Sequence, residues 1–567
     1  MLIMMRIKEL MRIFFGGIYM NPIPMRKVSD FYEPYVNEEE FFRRLQSLTF
    51  TGTPTQIDYQ LFKENIQRKV WPMLSQTHFY LIDESYTETE WKDMISEHYI
   101  HTRYLVKPTA VRVHLFNEKS EINQSYLGCF TLRKINNNDM VLSFIYPNWN
   151  VLCLEECNFK NSYLVTVQKT IHILAEEVQI TTTPFFVQDG AVTCCAHANI
   201  LMMSHFLHLR FGYKKIRIPE IAQGYLRREK QYPTKGLIPE QIMEVLTNNG
   251  VYIRPIIVKK ENLPLEKKED IKETIKAHLR SGLPVLMLID KHAVLIVGFR
   301  EEENFDGVVF FDDSGVLIHS INEKVYEEQN NEYDNFVYNC SWNYIFNFVK
   351  EKSAENIYFL VPFHEKIFVN YDDVFCRCLI LEKNMMEDGE TYALTNKRFF
   401  IADNVVCKKF INEYVMDREL VGDAVDQFIR NEQPHYLWCY EFEFQGELYI
   451  IFINSTYNMH DKENNMYINK NCEPFHIAKH FHTVEPICLW KMKQDQIPLF
   501  TKRLNQCNSF GNHDVFDNVN VMSKAPTKPS KRLEEPLEKT RDLNDAPDEN
   551  KIGKEESVNE WCFRVNK

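Results

Sequence analysis

The sequence predicts an α+β protein of several domains, with its chemistry gathered in a central segment. Three observations lead there. The chain has 567 residues, too many for one compact core at about 100–200 residues per domain. Runs of helical periodicity are followed by runs of strand-like alternation, in an ordinary folded composition of 44% hydrophobic and 26% charged residues. A cysteine, a histidine and a carboxylate then occur in that order, at a helix start, a strand start and a strand end.

The elements follow along the chain. Residues 1–24 read as an N-terminal extension. Arg6, Lys8, Glu9 and Arg12 interrupt its apolar residues, so no clean signal-peptide core is expected, and the extra Met residues at 4, 5, 11, 20 and 25 lead to the expectation of a start further in. Residues 25–150 read as an α/β domain. Helices are expected over Phe41–Leu48 and Tyr59–Leu74, and strands over Val111–Phe116, Tyr126–Leu132 and Met140–Tyr146. Residues 151–360 read as the domain that carries the chemistry. It has strands around Tyr163–Ala175, a helix after Cys195, helices at Pro239–Asn248 and Glu269–Leu279, and strands at Val285–Ile289, Ala293–Phe299 and Val308–Phe311. Residues 361–504 read as a mixed α/β domain with strands at Tyr440–Phe444 and Leu448–Ile453. From residue 505 the chain reads as a disordered tail. Between Lys524 and Glu560 it is rich in Lys, Glu, Pro, Asp and Ser and lacks aromatics, so it cannot bury enough apolar surface to offset ordering entropy.

The chemical pattern starts at Phe185, where an apolar strand enters a turn at Asp189-Gly190. Cys194 and Cys195 follow, then small residues and a long apolar helix. A thiol at a helix N-terminus feels the positive end of the helix dipole, which favours the nucleophilic thiolate. Thr193 is the expected cap of that helix, and the Gln188 amide is placed to join a backbone N–H in an oxyanion hole. His292 opens an apolar strand, and Asp312 and Asp313 end the next one. Adjacent strands would set the imidazole beside a carboxylate that fixes its tautomer, as in any nucleophile–base–orienter triad.

Gln188, the Cys194-Cys195 pair, His292 and Asp312-Asp313 in this order resemble papain-like cysteine peptidases, and especially bacterial peptidase C39-like proteins. Cys195-Ala-His-Ala-Asn-Ile200 is similar to the small-residue signature after the thiol in that group. His292-Ala-Val-Leu-Ile-Val-Gly298 is similar to its base-bearing strand, and Lys235–Met243 to a helix start that often follows. Tyr126–Arg133, Tyr358–Phe368 and Pro434–Trp438 resemble flanking segments of large bacterial proteins with a papain-like centre. The resemblance implies a cysteine hydrolase acting on a peptide or isopeptide bond, with Cys195 or Cys194 as nucleophile, His292 as base and Asp312 or Asp313 as orienter. It implies no cofactor. Ala196 departs from the usual glycine after the thiol. The glutamine-to-cysteine spacing fits Cys194, whereas the register of Ala198, Ile200 and Leu201 fits Cys195. The same residues also admit deamidation, acyl transfer, or an inactive scaffold that binds protein.

The net charge of −13 argues against nucleic acid, whose binding needs clustered Lys and Arg. No apolar run approaches the ~18 residues of a membrane span. A protein or peptide partner is therefore the expectation. The 14 cysteines are mostly scattered singly in a long chain, which reads as free thiols in a reducing, cytoplasmic setting. His197, two residues beyond Cys195 on a helix, is expected to point away from it. Cys472, His476, His480 and His482, with Cys488 nearby, are a metal-ligand alternative whose spacing fits no zinc signature. The pairs Cys153/Cys157 and Cys376/Cys378 lack a matching second pair.

Overall fold

The computed structural model describes residues 31–50, 56–101, 106–135, 141–152, 162–224, 236–259, 264–289, 292–302, 305–312, 337–351, 356–372, 374–375, 378, 394–414, 430, 434–444, 447–455 and 489–492. The proposed extension, the tail, Asp313, the pair Cys153/Cys157, Cys376 and the Cys472–Cys488 cluster lie outside these residues.

The first layer forms from amphipathic helices on an antiparallel sheet. After β1 (Glu33–Pro34), Asn37 caps α1 (Glu38–Thr49) by accepting the Glu40 N–H at 3.2 Å. Three glutamates in its first turn suit the positive end of the dipole. Phe41, Phe42 and Leu45 of α1 and Phe62, Ile66 and Val70 of α2 (Gln56–Leu74) are buried, at helical spacing. Next come β2 (Phe79–Tyr86), α3 (Thr89–Glu97), β3 (Ala110–Phe116), β4 (Tyr126–Leu132) and β5 (Leu142–Pro147). The last three strands are buried along their whole length, so both faces of this sheet are covered.

β6 (Ser162–Leu164) precedes a two-stranded hairpin of β7 (Val167–Ile173) and β8 (Glu176–Thr182). β9 (Phe185–Phe186) then completes the first sheet, in the order β1-β2-β3-β4-β5-β9, with Phe186 opposite Phe144. The chain runs on through α4 (Cys195–Phe211), α5 (Ile218–Gly224), α6 (Pro239–Asn248), β10 (Tyr252–Lys259) and α7 (Leu265–Arg280). β11 (Val285–Ile289), β12 (His292–Glu302), β13 (Phe305–Phe311), β14 (Val337–Ser341), α8 (Trp342–Glu351) and β15 (Asn356–Phe363) follow. The second sheet is antiparallel in the order β10-β15-β11-β12-β13-β14, and β6 joins it beside β12. β16 (Thr395–Asp403), α9 (Asn404–Tyr414), β17 (Tyr436–Phe444), β18 (Glu447–Asn454) and β19 (Leu489–Met492) supply a third, four-stranded sheet.

One hydrophobic core runs without a break from α1 through the first sheet and α4 into the second sheet. A separate core lies under the third sheet, with Trp438, Tyr440 and Phe399 at its centre and Ala277 of α7 at its edge. There the Ile401 N–H donates to Ser281 Oγ at 2.7 Å. The chain is therefore a mixed α/β molecule with several sheets. Among the described residues, no helix is long and apolar enough to cross a membrane.

Candidate active site

β9 leads directly into the loop that presents the two thiols. Asp189, fully buried, organises it. Its Oδ1 accepts the N–H groups of Ala191, Val192 and Thr193 at 3.2, 2.9 and 2.7 Å, and the Thr193 hydroxyl at 2.9 Å. Its Oδ2 accepts the Tyr99 hydroxyl at 3.0 Å, from the first layer. Arg133 of that layer donates to the Val187 carbonyl at 2.5 Å. Thr193 thus serves the loop and does not cap α4. The N-cap is Cys194, and it makes no side-chain cap bond. Gln188 sits in this loop, half-buried, one residue before Asp189.

Cys195 is the first residue of α4, a helix buried on nearly every side. Both thiols are themselves only partly buried, within reach of solvent. Gly236, at φ 89°, comes close to Cys194. A Cβ there would stand 3.8 Å from Cys194 Sγ, in ordinary contact.

The base and the carboxylate come from neighbouring strands. Leu295 of β12 lies opposite Phe311 of β13. Asp312 is therefore level with Val294, and His292, two residues along, projects from the same face. His292 Nε2 lies 2.9 Å from Asp312 Oδ1, and the carboxylate side chain has no exposed surface. Cys195 lies within hydrogen-bonding reach of both His292 and the Cys194 sulfur.

The charges follow from these contacts. Burial alone would lower His292, but the hydrogen bond to Asp312, the contact with Cys195 and their negative charge outweigh it and raise the imidazole to about 10. The bond to Cys194, together with burial, pushes Cys195 up to about 12, against the pull of His292. Cys194 is lowered from the usual thiol value, first by the hydrogen bond from Cys195 and then, against burial, by the N–H groups of His197 and Ala196. The two thiols thus behave as one pair, whose first proton leaves readily and whose second is held. His197 Nδ1 is 3.0 Å from Cys194 Sγ, a contact the spacing argument missed. Burial holds this imidazole down at about 4, so it is neutral near pH 7.

The structure therefore brings Cys195, His292 and Asp312 together, with Cys194 adjacent and Gln188 in the same loop. Sequence reasoning did not single out Asp189, Tyr99 or Asn199. The Asp-Gly turn signal and the one-turn spacing of Asn199 from Cys195 were the available clues. No cluster of three or more His, Cys, Asp or Glu that could hold a metal occurs among the described residues.

No family model and no curated protein sequence matches the chain. Among solved structures, the crystal structure of UfSP from C. elegans is similar at 15% identity and a TM-score of 0.21. The match covers 32% of this chain and 33% of that one, about a third of each, too little overlap to assign a shared fold.

Proposed function

We propose that the protein is a papain-like cysteine hydrolase that cleaves a peptide or isopeptide bond in a protein substrate. The observation that carries this reading is the bridging position of His292, between the buried Asp312 carboxylate and the Cys195 thiol at the start of a buried helix. In the proposed cycle the reacting form is the Cys195 thiolate paired with the His292 imidazolium, and Sγ attacks the substrate carbonyl carbon. The imidazolium then gives its proton to the departing amine, leaving a thioester. His292 next takes a proton from water, whose oxygen displaces the sulfur and releases the acid. Asp312 holds the ring and stabilises its charged form. Gln188 and the N–H groups at the start of α4 are the proposed donors to the tetrahedral oxyanion. The small-residue run after Cys195 leaves a C39-like relationship as the finer form of the proposal.

The thioester can also pass to another acceptor. Mass spectrometry of peptides bearing an ordinary amide, an isopeptide-linked lysine or a free glutamine separates the outcomes. Chain cleavage is the predicted result. A gain of about one dalton at glutamine would mean deamidation, and an amine adduct acyl transfer. Product formation that persists unchanged in Cys195→Ala would sink the assignment.

A further inference from the structure

Asn199 lies one helical turn beyond Cys195, 2% exposed, and takes no part in the proposed chemistry. Its Nδ2 donates to two backbone carbonyls, that of Cys195 at 2.7 Å and that of Ala293 at 2.9 Å. Both partners are oxygens without protons, so the amide orientation is fixed: the nitrogen, with two N–H bonds, must face them. One side chain therefore ties the residue that carries the thiol to the residue that follows His292.

Two further observations give this tie a purpose. Among the described residues, the pairing of β12 with β13 stops at Leu295–Phe311, short of His292. β11 still pairs with β12 through His292 on the other edge, so on the β13 side Asn199 of α4 supplies the tie that this ladder no longer does. Asn199 Oδ1 is also buried and accepts no hydrogen bond from the described residues. A leucine would fill similar space without burying an unpaired acceptor, so the residue's value there lies in its two donors.

We propose that Asn199 is a positioning residue that sets the distance between the Cys195 thiol and the His292 imidazole, a role that rests on the hydrolase reading above. The link runs through backbone on both sides, so it limits sliding of helix against strand without touching substrate. Small displacements of reacting groups have large effects on rate. A merely structural staple would move stability and leave the protonation of the thiol alone.

The test is the rate of Cys195 alkylation by iodoacetamide against pH, read by tandem mass spectrometry on the full-length chain. The wild-type profile should move to higher pH in His292→Ala, which removes the pull of the imidazole on the Cys195 proton. In Asn199→Leu the acid limb should move up by about one pH unit, so that the rate near pH 6 falls about tenfold, because the thiolate loses its aligned imidazolium. Asn199→Ser covers the case in which the leucine variant does not fold. Its hydroxyl can still reach the carbonyl four residues back in the helix but not β12, and the same upward shift is expected. Ser204→Ala is the control. That buried hydroxyl, on the same helix, accepts the Ile216 N–H at 2.7 Å, far along the chain from the site. It should lower the melting temperature and leave the profile in place. Wild-type profiles in the Asn199 variants, or an equal shift in Ser204→Ala, would overturn the positioning role while leaving the hydrolase intact. A wild-type profile indifferent to His292→Ala would remove both.

Discussion

Cys195 has two partners for one proton, the Cys194 sulfur and the His292 imidazole, and they pull in opposite directions. The Cys194 contact is the largest influence holding the proton on Cys195, so its removal should free the thiol. Cys194→Ala is expected to shift the acid limb of turnover to lower pH and to retain activity, whereas Cys195→Ala abolishes it; a pH–rate series on both variants checks this. Asp312 acts from the other side of the ring. His292, at about 10 in the folded chain against about 6.5 when unfolded, contributes stability that is fully present below about pH 6.5 and lost as pH rises through about 10. Asp312→Asn keeps an acceptor oxygen but removes the charge. The melting temperature should then vary less between about pH 6.5 and 10, and the basic limb of activity, set by loss of the imidazolium, should move down towards the ordinary histidine range. An unchanged basic limb would mean that the carboxylate does not govern this histidine. At this scale the residues with chemistry of their own were legible. Cys195, His292 and Asp312 stand at element ends, where residue type and place in the pattern coincide. The choice between Cys194 and Cys195 was open, because it depends on which sulfur the β12 imidazole faces. Asp189 and Asn199 act through contacts made only after the chain has folded.

The element that presents the thiols is a short loop held by one carboxylate. Asp189→Ala would strip acceptors from three buried or half-buried N–H groups and two hydroxyls. Each buried donor left unpaired costs about 1–3 kcal/mol, with imperfect additivity, so a loss of at least ~3 kcal/mol is expected in urea unfolding. Activity should fall further than stability, since Gln188 and Cys194 flank this loop. On β12 the constraint is steric. A side chain at Gly298 would run into the Tyr163 carbonyl, where β6 crosses close to the strand. Gly298→Ala should therefore destabilise by about 1–3 kcal/mol through displaced backbone, read as a lower urea midpoint at unchanged slope. Strands β4 and β11 and helix α6 run between the residues expected from sequence, because apolar runs and a proline at the helix start mark them plainly. Helix α7 starts four residues before the expected Glu269, directly after Pro264. β9, two residues long, falls at the start of the apolar strand expected from Phe185. β10 carries Arg254 and Pro255 and has mostly exposed or half-exposed residues, as an edge strand can, so its pattern never read as buried.

Across the whole molecule, the first layer is part of the apparatus that holds the site. β9 lies in the first sheet and its next residues are the nucleophile loop. Tyr99 and Arg133 reach that loop from the same side, and one core spans both sheets. A fragment of residues 151–360 would lose β5 beside β9 and expose Phe185 and Phe186, both fully buried in the intact chain. It should bind hydrophobic dyes and unfold without a cooperative transition; a sharp thermal transition in the fragment would show that the central segment stands alone. The proposed activity stands or falls on one pairing, and covalent labelling reads it directly. A peptide-based electrophile, applied below saturation to the intact protein and mapped by tandem mass spectrometry, should modify Cys195 ahead of every other cysteine and lose that preference in His292→Ala. Preferential labelling of Cys194, or equal labelling of Cys195 with and without His292, would contradict the assignment of Cys195 and His292 as the reacting pair.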